Sequence, residues 1–313
     1  MNNPYEYTLD NKRYQTLNYY LKNKYNNKVS KIPLDAGFTC PNRDGSKGYG
    51  GCLFCSEAGA GEFTLSSLNL EKQYQENLKM MHMKWPNSLS IPYFQNYTNT
   101  YGPLSKIKSM CECFIDKEEV VAISIATRPD CLDDEKIDYL NSLTSKKDIW
   151  LELGLQTSNK KTGELINRGH DFKCLTDCLK KLEKTSIKIC IHIINSLPYE
   201  SKEDMIKTVK DLKGNHFHSI KIHMLHVSSN SNIFSYYKKT NFKLLTLEEY
   251  VEVVVKQLEL LKADIIVERL TGDPVRELLI APDWVLNKTN VLNSIDKYMK
   301  KHDTYQGRLY DEY

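Results

Sequence analysis

The chain has 313 residues, a length that allows one large domain or two small ones, and its formal net charge is +3. Apolar residues make up 41% and charged residues 27%, no apolar run is long enough for a membrane span, and the N-terminus lacks the apolar core of a signal peptide. These observations exclude a membrane protein and favour a cytoplasmic one. The nine cysteines are then expected to be free, buried or metal-bound rather than disulfide-bonded.

The first two thirds of the chain alternate between β-rich and helical segments. Residues 1–30 are predicted to hold a polar helix. From Lys31 onward six β-rich runs follow, at 31–37, 89–97, 120–127, 148–157, 187–198 and 218–227. The helical stretches that follow them lie at 67–84, 103–115, 133–143, 160–168, 171–184 and 201–213. Strands that are each followed by a helix predict a parallel sheet with right-handed crossovers, as a partial barrel or an open doubly wound sheet.

The last third of the chain has a different pattern. Residues 228–240 are predicted to form a polar connection, and Thr246 is predicted to cap an amphipathic helix over 246–262. A further strand over 263–270 and a closing helix complete the chain. We therefore predict an N-terminal helical segment (1–30), a core (31–230) and a C-terminal extension (231–313) packed on that core.

Three cysteines follow the first predicted strand, in the run LDAGFTCPNRDGSKGYGGCLFC. Eleven residues separate Cys40 from Cys52, and two separate Cys52 from Cys55. Three thiolates on one glycine-rich loop can hold three irons of a [4Fe–4S] cluster and leave the fourth iron to a small molecule. A zinc site, a Cys-x-x-Cys redox pair and three structural cysteines remain open alternatives.

The cysteine run and six later motifs, taken together, resemble the radical S-adenosylmethionine (SAM) superfamily. Within it they resemble the YtqA/YhcC-like branch, which is related to the catalytic subunit of the Elongator complex. The later motifs are YFQNYTNTYGP, ISIATRPDCL, WLELGLQT, INRGHDF, IKIHMLHV and RLTGDPVRELLIAP, in this order. The resemblance implies an α/β fold: a partial (β/α)6 TIM-like barrel of the radical SAM type with a short α/β C-terminal extension.

The resemblance also implies the cofactors. A [4Fe–4S] cluster would be held by Cys40, Cys52 and Cys55, and the amino and carboxylate groups of SAM would chelate its open iron. One electron, from a reducing protein of the flavodoxin or ferredoxin type, would cleave SAM to methionine and a 5′-deoxyadenosyl radical. That radical would abstract a hydrogen from the substrate, so the protein is expected to be an enzyme.

The same resemblance assigns SAM contacts residue by residue. Phe54 would lie against the adenine, or anchor the loop. Thr98, in the run 95–100 after the second strand, would mark the site for the SAM amino group. Gln156 would contact the ribose. Arg168 would pair with the carboxylate, for which a guanidinium is suited, or be a surface charge at a helix end.

Two departures from the family pattern stand out. The ribose-binding Glu that some relatives carry on the third strand is absent, and Glu152 is the candidate replacement because it shares a strand face with Gln156. A structural ion pair inside the barrel is the alternative for Glu152. The turn 195–200 reads NSLPYE where a GLPGE-type turn is expected, so both of its glycines are missing.

Further polar residues lie on the predicted strands or at their ends. His192, His223 and His226 contact substrate or SAM, or are hydrogen-bonded core residues. Arg128 and Asp130 reach the barrel mouth, or pair with each other. The late turn RLTGD, 269–273, closes the mouth over substrate, or is an ordinary strand-end turn.

The resemblance implies a tRNA substrate: the wobble uridine, converted from 5-carboxymethylaminomethyl-2-thiouridine towards 5-aminomethyl-2-thiouridine. The N-terminal segment mixes basic and aromatic residues as an RNA-contacting helix does, or it covers the bottom of the barrel. The alternatives are a radical SAM enzyme that acts on a protein or small molecule, and a zinc-binding RNA module.

Overall fold

The computed structural model describes residues 5, 12–56, 59 and 68–312, so part of the predicted N-terminal segment and the end of the cysteine-rich loop lie outside the described residues. The strands are β1 (Val29–Leu34), β2 (Leu89–Phe94), β3 (Ala122–Thr127), β4 (Asp148–Gln156), β5 (Lys188–Asn195), β6 (Ser219–Met224), β7 (Val227–Ser228), β8 (Ile266–Arg269) and β9 (Leu279–Ala281). The α-helices are α1 (Leu17–Tyr25), α2 (Leu70–Lys84), α3 (Leu104–Glu112), α4 (Asp134–Ser142), α5 (Lys160–Leu165), α6 (Phe172–Leu182), α7 (Lys202–Lys210), α8 (Asn232–Thr240), α9 (Leu247–Leu260) and α10 (Lys288–Lys301). No helix in these ranges is long and apolar enough to cross a bilayer.

Seven strands of the described chain form one parallel sheet in the order β1-β2-β3-β4-β5-β6-β8. The first six correspond to the six predicted runs. The seventh, β8, belongs to the region predicted as a C-terminal extension, and it pairs with β6 through Ser219 and Ile266. The sheet curls until Lys31 of β1 lies 2.6 Å from Glu268 of β8, which confirms the predicted partial barrel.

The helix α1 covers the N-terminal end of the barrel strands. Its Leu21 packs in one apolar cluster with the first inward-facing side chains of the strands, which are Val29, Ile91, Ala122, Trp150 and Ile266. Because the cysteine loop follows the carboxyl end of β1, α1 lies at the opposite end of the barrel. This position corresponds to the second interpretation of the N-terminal segment, a cover for the barrel bottom.

In the C-terminal region, the helix α9 was predicted from the sequence and the helix α8 was not. The helix α9 begins after Thr246, whose hydroxyl accepts the backbone N–H of Glu249 (3.2 Å) in a capping box, as predicted. The residues predicted as a polar connection instead contain the helix α8. Ile233, Tyr236 and Tyr237 are spaced to share one face of this helix, and they pack in an apolar cluster.

Candidate active site

A cavity of about 760 Å³ opens at the carboxyl ends of the barrel strands, where parallel α/β proteins place their sites. The residues predicted as cluster ligands and SAM contacts all line it: Cys40, Cys52, Cys55, Phe54, Thr98, Glu152, Gln156 and Arg168. His192, His223 and His226 line it as well. The fold therefore brings together residues that are spread over most of the sequence.

The backbone of the cysteine loop is organised by turns that begin at two of its cysteines. Cys40 and Cys52 each begin a tight turn, since their carbonyls accept the backbone N–H groups of Arg43 (2.8 Å) and Cys55 (3.0 Å). Among the described residues, no three His, Cys, Asp or Glu side chains converge on a single metal ion. In a [4Fe–4S] cluster each thiolate binds a different iron, so the three thiolates do not have to meet at one ion.

The surroundings of the cysteines suit an iron–sulfur group. The Cys55 thiol donates a hydrogen bond to Cys52, and this bond lowers the pKa of Cys52 to about 7, with Arg128 and the Asn42 amide adding to the effect. The Asn42 amide nitrogen lies 3.5 Å from the Cys52 sulfur. Positive charge and N–H donors around sulfur stabilise the thiolate, which is the form that binds iron.

The segment 166–169, from the motif INRGHDF, clamps the cysteine loop. The Ile166 carbonyl accepts the N–H of Leu53 (2.9 Å), and the Asn42 amide donates to the carbonyls of Asn167 (2.6 Å) and Arg168 (2.9 Å). The Asn167 amide in turn donates to the Gly51 carbonyl (2.9 Å). Sequence reasoning assigned a role in this motif to Arg168 alone, because a contact between two loops leaves no periodic signal in either.

Gly169 is required where this clamp meets the loop. Its φ is +77°, and a Cβ built on it would lie 2.4 Å from the Asn42 side-chain oxygen. A second contact that the sequence did not indicate comes from α8, where the Asn232 amide donates to the Gly50 carbonyl (2.9 Å). The loop is therefore held from two sides.

Arg168 is buried, so it is not the surface charge that was its alternative interpretation. Its Nε donates to the His170 carbonyl (2.7 Å), and its Nη1 donates to the carbonyls of Leu155 and Thr157 at the end of β4. Gly163 leaves room for Nη2, because a Cβ built there would lie 2.8 Å from that atom. Three N–H groups thus donate to the backbone, and Nη2 has no hydrogen bond to any described residue.

Gln156 lies at an irregularity of β4. The register of the β4–β5 pairing shifts between Gly154 and Gln156, and the φ of Gln156 is +61°. Its amide, oriented by its hydrogen bonds, donates to the Leu155 carbonyl (3.0 Å). A bulge redirects a side chain at a strand end, and here it places Gln156 on the cavity wall.

Glu152 is saturated by protein groups. One oxygen accepts from Lys31 (2.6 Å) and Ser124 (2.6 Å), and the other accepts from His192 (2.8 Å) and Lys221. Burial opposes its ionisation, but Lys221 and Lys31 hold the pKa of Glu152 well below its usual value. This arrangement matches the alternative interpretation of Glu152, a structural ion pair inside the barrel, and the ribose contact stays a prediction.

Phe54 and Thr98 each combine a place on the cavity wall with a structural contact. Phe54 is half-buried and packs beside the cluster that contains Ile166 and Leu225. The Thr98 N–H donates to the Thr39 carbonyl (3.2 Å), next to Cys40. The Phe54 side chain and the Thr98 backbone therefore connect the cavity wall to the cysteine loop and its flank.

The turn after β5 keeps a glycine-like backbone without its glycines. Ser196 has a φ of +73° and Tyr199 a φ of +63°, which is the left-handed region that glycine adopts most readily. The Ser196 hydroxyl accepts the N–H of Leu245 (2.9 Å), a bond that glycine could not make. The expected turn geometry is thus retained in spite of the sequence departure.

Arg128 and Asp130 pair with each other through two hydrogen bonds of 2.9 Å each. Arg128 also lines the cavity and donates to the Arg168 carbonyl (2.6 Å), so it joins the loop clamp. In the late turn 269–273, Arg269, Gly272 and Asp273 line the same cavity.

Two family models match this chain: the radical SAM superfamily over residues 46–212, and the radical SAM C-terminal domain over residues 217–301. The chain belongs to the radical SAM superfamily. The first match contains Cys52, Cys55, Gln156 and Arg168, and it begins after Cys40. The second match begins within the predicted core and includes β6 and β8.

Relatives of similar length place the chain beside YtqA and YhcC. It is 43% identical to the uncharacterized protein YtqA of Bacillus subtilis (strain 168) over 310 residues, 99% of this chain and 96% of YtqA. It is 31% identical to the protein YhcC of Escherichia coli (strain K12) over 292 residues, 92% of this chain and 93% of YhcC. Both matches confirm the resemblance to this branch of the superfamily.

More distant matches connect the chain to Elongator-type proteins. It is 24% identical over 185 residues to the tRNA uridine(34) acetyltransferase of Methanocaldococcus jannaschii, 58% of this chain and 33% of that protein. The fold resembles the archaeal Methanocaldococcus infernus Elp3 with a TM-score of 0.67, at 17% identity, over 91% of this chain and 67% of that chain. This likeness confirms the partial-barrel fold.

As a member of the radical SAM superfamily, the protein is an enzyme, and its cofactors are a [4Fe–4S] cluster and SAM. This membership answers the question that the cysteine spacing alone left open.

Proposed function

We propose that this radical SAM enzyme modifies the wobble uridine of tRNA, converting 5-carboxymethylaminomethyl-2-thiouridine towards 5-aminomethyl-2-thiouridine. The observation that carries the proposal is sequence likeness, over more than half of this chain, to an enzyme that acts on uridine 34 of tRNA. That match spans 33% of the acetyltransferase, so acetyl transfer is not carried over. What the proposal takes from this relative is the target nucleotide, uridine 34 of tRNA.

In this proposal Cys40, Cys52 and Cys55 hold the cluster at the cavity. The bound cofactors supply a 5′-deoxyadenosyl radical, and the chain supplies position and exclusion of water. Asn42 and the segment 166–169 fix the loop through their hydrogen bonds, and the Arg168 side chain ties this segment to the end of β4. Gln156, Thr98 and Phe54 form the SAM side of the wall, and Arg168 offers Nη2 to the SAM carboxylate.

The proposal includes a partner and a compartment. A reducing protein of the flavodoxin or ferredoxin type would supply the electron. In the cytoplasm the enzyme would meet both this reductant and tRNA. All nine cysteines are free in the structure, which suits a reducing compartment.

The first experiment tests the assignment of the cluster ligands. After anaerobic reconstitution and reduction, the wild-type protein should contain iron and sulfide and release 5′-deoxyadenosine from SAM. The variants C40A, C52A and C55A should each lose most of the iron and all of this release. The matched control is C113A, because Cys113 is exposed on the outside of the barrel, at the end of α3. Full iron content in any of the three variants would remove that cysteine from the ligand set.

The second experiment tests the substrate. Nucleosides of total tRNA are compared between cells with and without the gene, and between strains that carry the wild-type or the C52A protein. Loss of the gene should raise the carboxymethylaminomethyl nucleoside and lower the aminomethyl nucleoside, and only the wild-type protein should restore them. An unchanged wobble-uridine profile would reject the tRNA proposal while leaving the enzyme class intact.

A further inference from the structure

The side of the cavity formed by β5, β6 and β8 carries its own set of polar side chains. His192, His223 and Arg269 all line the cavity there. The cysteine loop instead meets charges that follow β3 and β4, since Arg128 and Arg168 are the cations that act on Cys52. The cavity therefore has a cofactor side and a second side that the cofactor assignments leave unused.

Beneath this second side the barrel interior is electrically balanced. Two lysines and two glutamates form one network, in which Lys31 contacts Glu152 and Glu268 (2.6 Å each) and Lys221 contacts the same two carboxylates. Both glutamate side chains have no exposed surface. These charges satisfy one another, so they do not set the preference of the cavity for a ligand.

At the rim the balance is positive. Arg269 lies 2.8 Å from Asp273, and Lys288 contacts the other oxygen of the same carboxylate. Two cations therefore share one anion, which leaves a net charge of about +1 at this point of the cavity. A cavity wall with a surplus cation attracts an anionic group of the ligand.

At this rim, Arg269 and His223 also have N–H groups without a hydrogen-bond partner among the described residues. Within the described ranges the Arg269 side chain makes only its ion pair with Asp273, and it is about one third exposed, at 33%. His223 contacts the His192 ring at 5.4 Å between centroids and has no hydrogen bond within those ranges. Burial, with His192 and Arg269 nearby, holds the pKa of His223 well below its usual value, so the ring is neutral. It can donate one further hydrogen bond without a competing charge.

We propose that Arg269, with His223 beside it, binds a carboxylate of the substrate. The planar guanidinium has N–H groups left for an anionic oxygen pair, and it lies on the same cavity as the cofactor residues. This inference rests on the proposed function, in which the carboxylate is the carboxymethyl group of the wobble-uridine side chain. Backbone phosphate is the other anion that tRNA could offer, and the test separates the two.

The experiment uses the reconstituted enzyme with SAM and two tRNAs of identical sequence. One tRNA carries the carboxymethylaminomethyl side chain, and the other carries the aminomethyl side chain, which lacks the carboxylate. The quantity measured is the ratio of the two dissociation constants, for wild type, R269Q, H223Q and a matched control, R276Q. Arg276 is exposed and does not line the cavity. A partly unfolded sample weakens the apparent binding of both tRNAs by the same factor. The ratio of the two dissociation constants is therefore insensitive to a loss of protein stability.

Wild type and R276Q should prefer the carboxylate-bearing tRNA by about 10- to 100-fold, the range for hydrogen bonds to a charged group. In R269Q the ratio should fall to near one, and in H223Q it should fall part of the way. An unchanged ratio in R269Q overturns the inference. Equal weakening of the binding of both tRNAs leaves the ratio unchanged and therefore also overturns it, and in a sample with the wild-type unfolding midpoint this result indicates a phosphate contact.

Failure of the proposed function has a different signature. If wild type binds both tRNAs equally and leaves the wobble uridine unmodified, the tRNA proposal fails, and the inference falls with it. If wild type modifies the uridine but R269Q keeps the preference, only the inference fails.

Discussion

The side-chain amide of Asn42 contacts the Cys52 sulfur at 3.5 Å and donates through the same nitrogen to the Asn167 carbonyl at 2.6 Å. One buried side chain thus links a proposed cluster ligand to the segment after α5. The cysteine loop is glycine-rich and would adopt many conformations on its own. Its geometry depends on this link.

We predict that N42A loses bound iron. Removal of the amide breaks its hydrogen bonds to the carbonyls of Asn167 and Arg168, which should lower the free energy of unfolding by about 1–3 kcal/mol. Iron and sulfide per chain after anaerobic reconstitution, and unfolding in urea, measure the two effects. N290A is the matched control, because Asn290 is exposed on α10. Wild-type iron content in N42A would show that the loop keeps its geometry without the clamp.

We predict that G163A is destabilised although alanine favours a helix. Gly163 lies within α5, where alanine alone would stabilise by about 1 kcal/mol. The new Cβ would lie 2.8 Å from Nη2 of Arg168, and that guanidinium is tethered to three backbone carbonyls. Overpacking of this kind costs about 1–3 kcal/mol, so the net change in thermal midpoint should be downward.

The control for this prediction is G48A. A Cβ at Gly48 meets its nearest atoms at 3.7 Å, an ordinary contact distance, and its φ does not lie in the left-handed region. Its thermal midpoint should stay close to that of wild type. A stabilised G163A would mean that the guanidinium moves at little cost.

We predict that E152Q is strongly destabilised. The substitution keeps the shape of the side chain but removes the charge that compensates Lys31 and Lys221, and breaking a buried ion pair costs about 3–5 kcal/mol. The double variant E152Q/K221M should lose less than the sum of its single variants, because it removes a charge of each sign. Urea unfolding measures each step. E112Q serves as the control, since Glu112 is exposed on α3.

We predict that Asp130 contributes to loss of stability in acid. Burial opposes its ionisation, but its hydrogen bonds with Arg128 outweigh that effect and lower its pKa to about 2, from an ordinary value of 3.8. A lowered carboxyl pKa gives stability that is present above about pH 4 and is lost as the pH falls towards 2. The contribution is about 2 kcal/mol.

The measurement is the free energy of unfolding between pH 6 and about pH 2. D130N should be less stable than wild type at pH 6, because Arg128 loses its partner, and its stability should fall less steeply below pH 4. D138N, at an exposed position of α4, should follow the wild-type slope. Parallel slopes for D130N and wild type would contradict the assignment.

The order of strands and helices was predictable from local patterns. Thr246 and Glu249 form the capping box where the sequence placed the start of a helix, and six apolar runs became neighbouring parallel strands in chain order. The helix α8 was missed because its serines and asparagine read as a connection, while its apolar face is satisfied only by contacts with distant residues.

The sequence by itself determined the chemical class of the site: three cysteines at a characteristic spacing, on a loop after a strand, with motifs of one superfamily behind them. Tertiary structure decided which groups the charged side chains contact. The sequence already shows that Glu152 can be an anion and that Arg168 is a cation. Whether either side chain meets a ligand depends on which partners are already within hydrogen-bond distance. Those partners, Lys31, Lys221 and the carbonyls at the end of β4, come from strands far apart in the chain. Only folding brings them together.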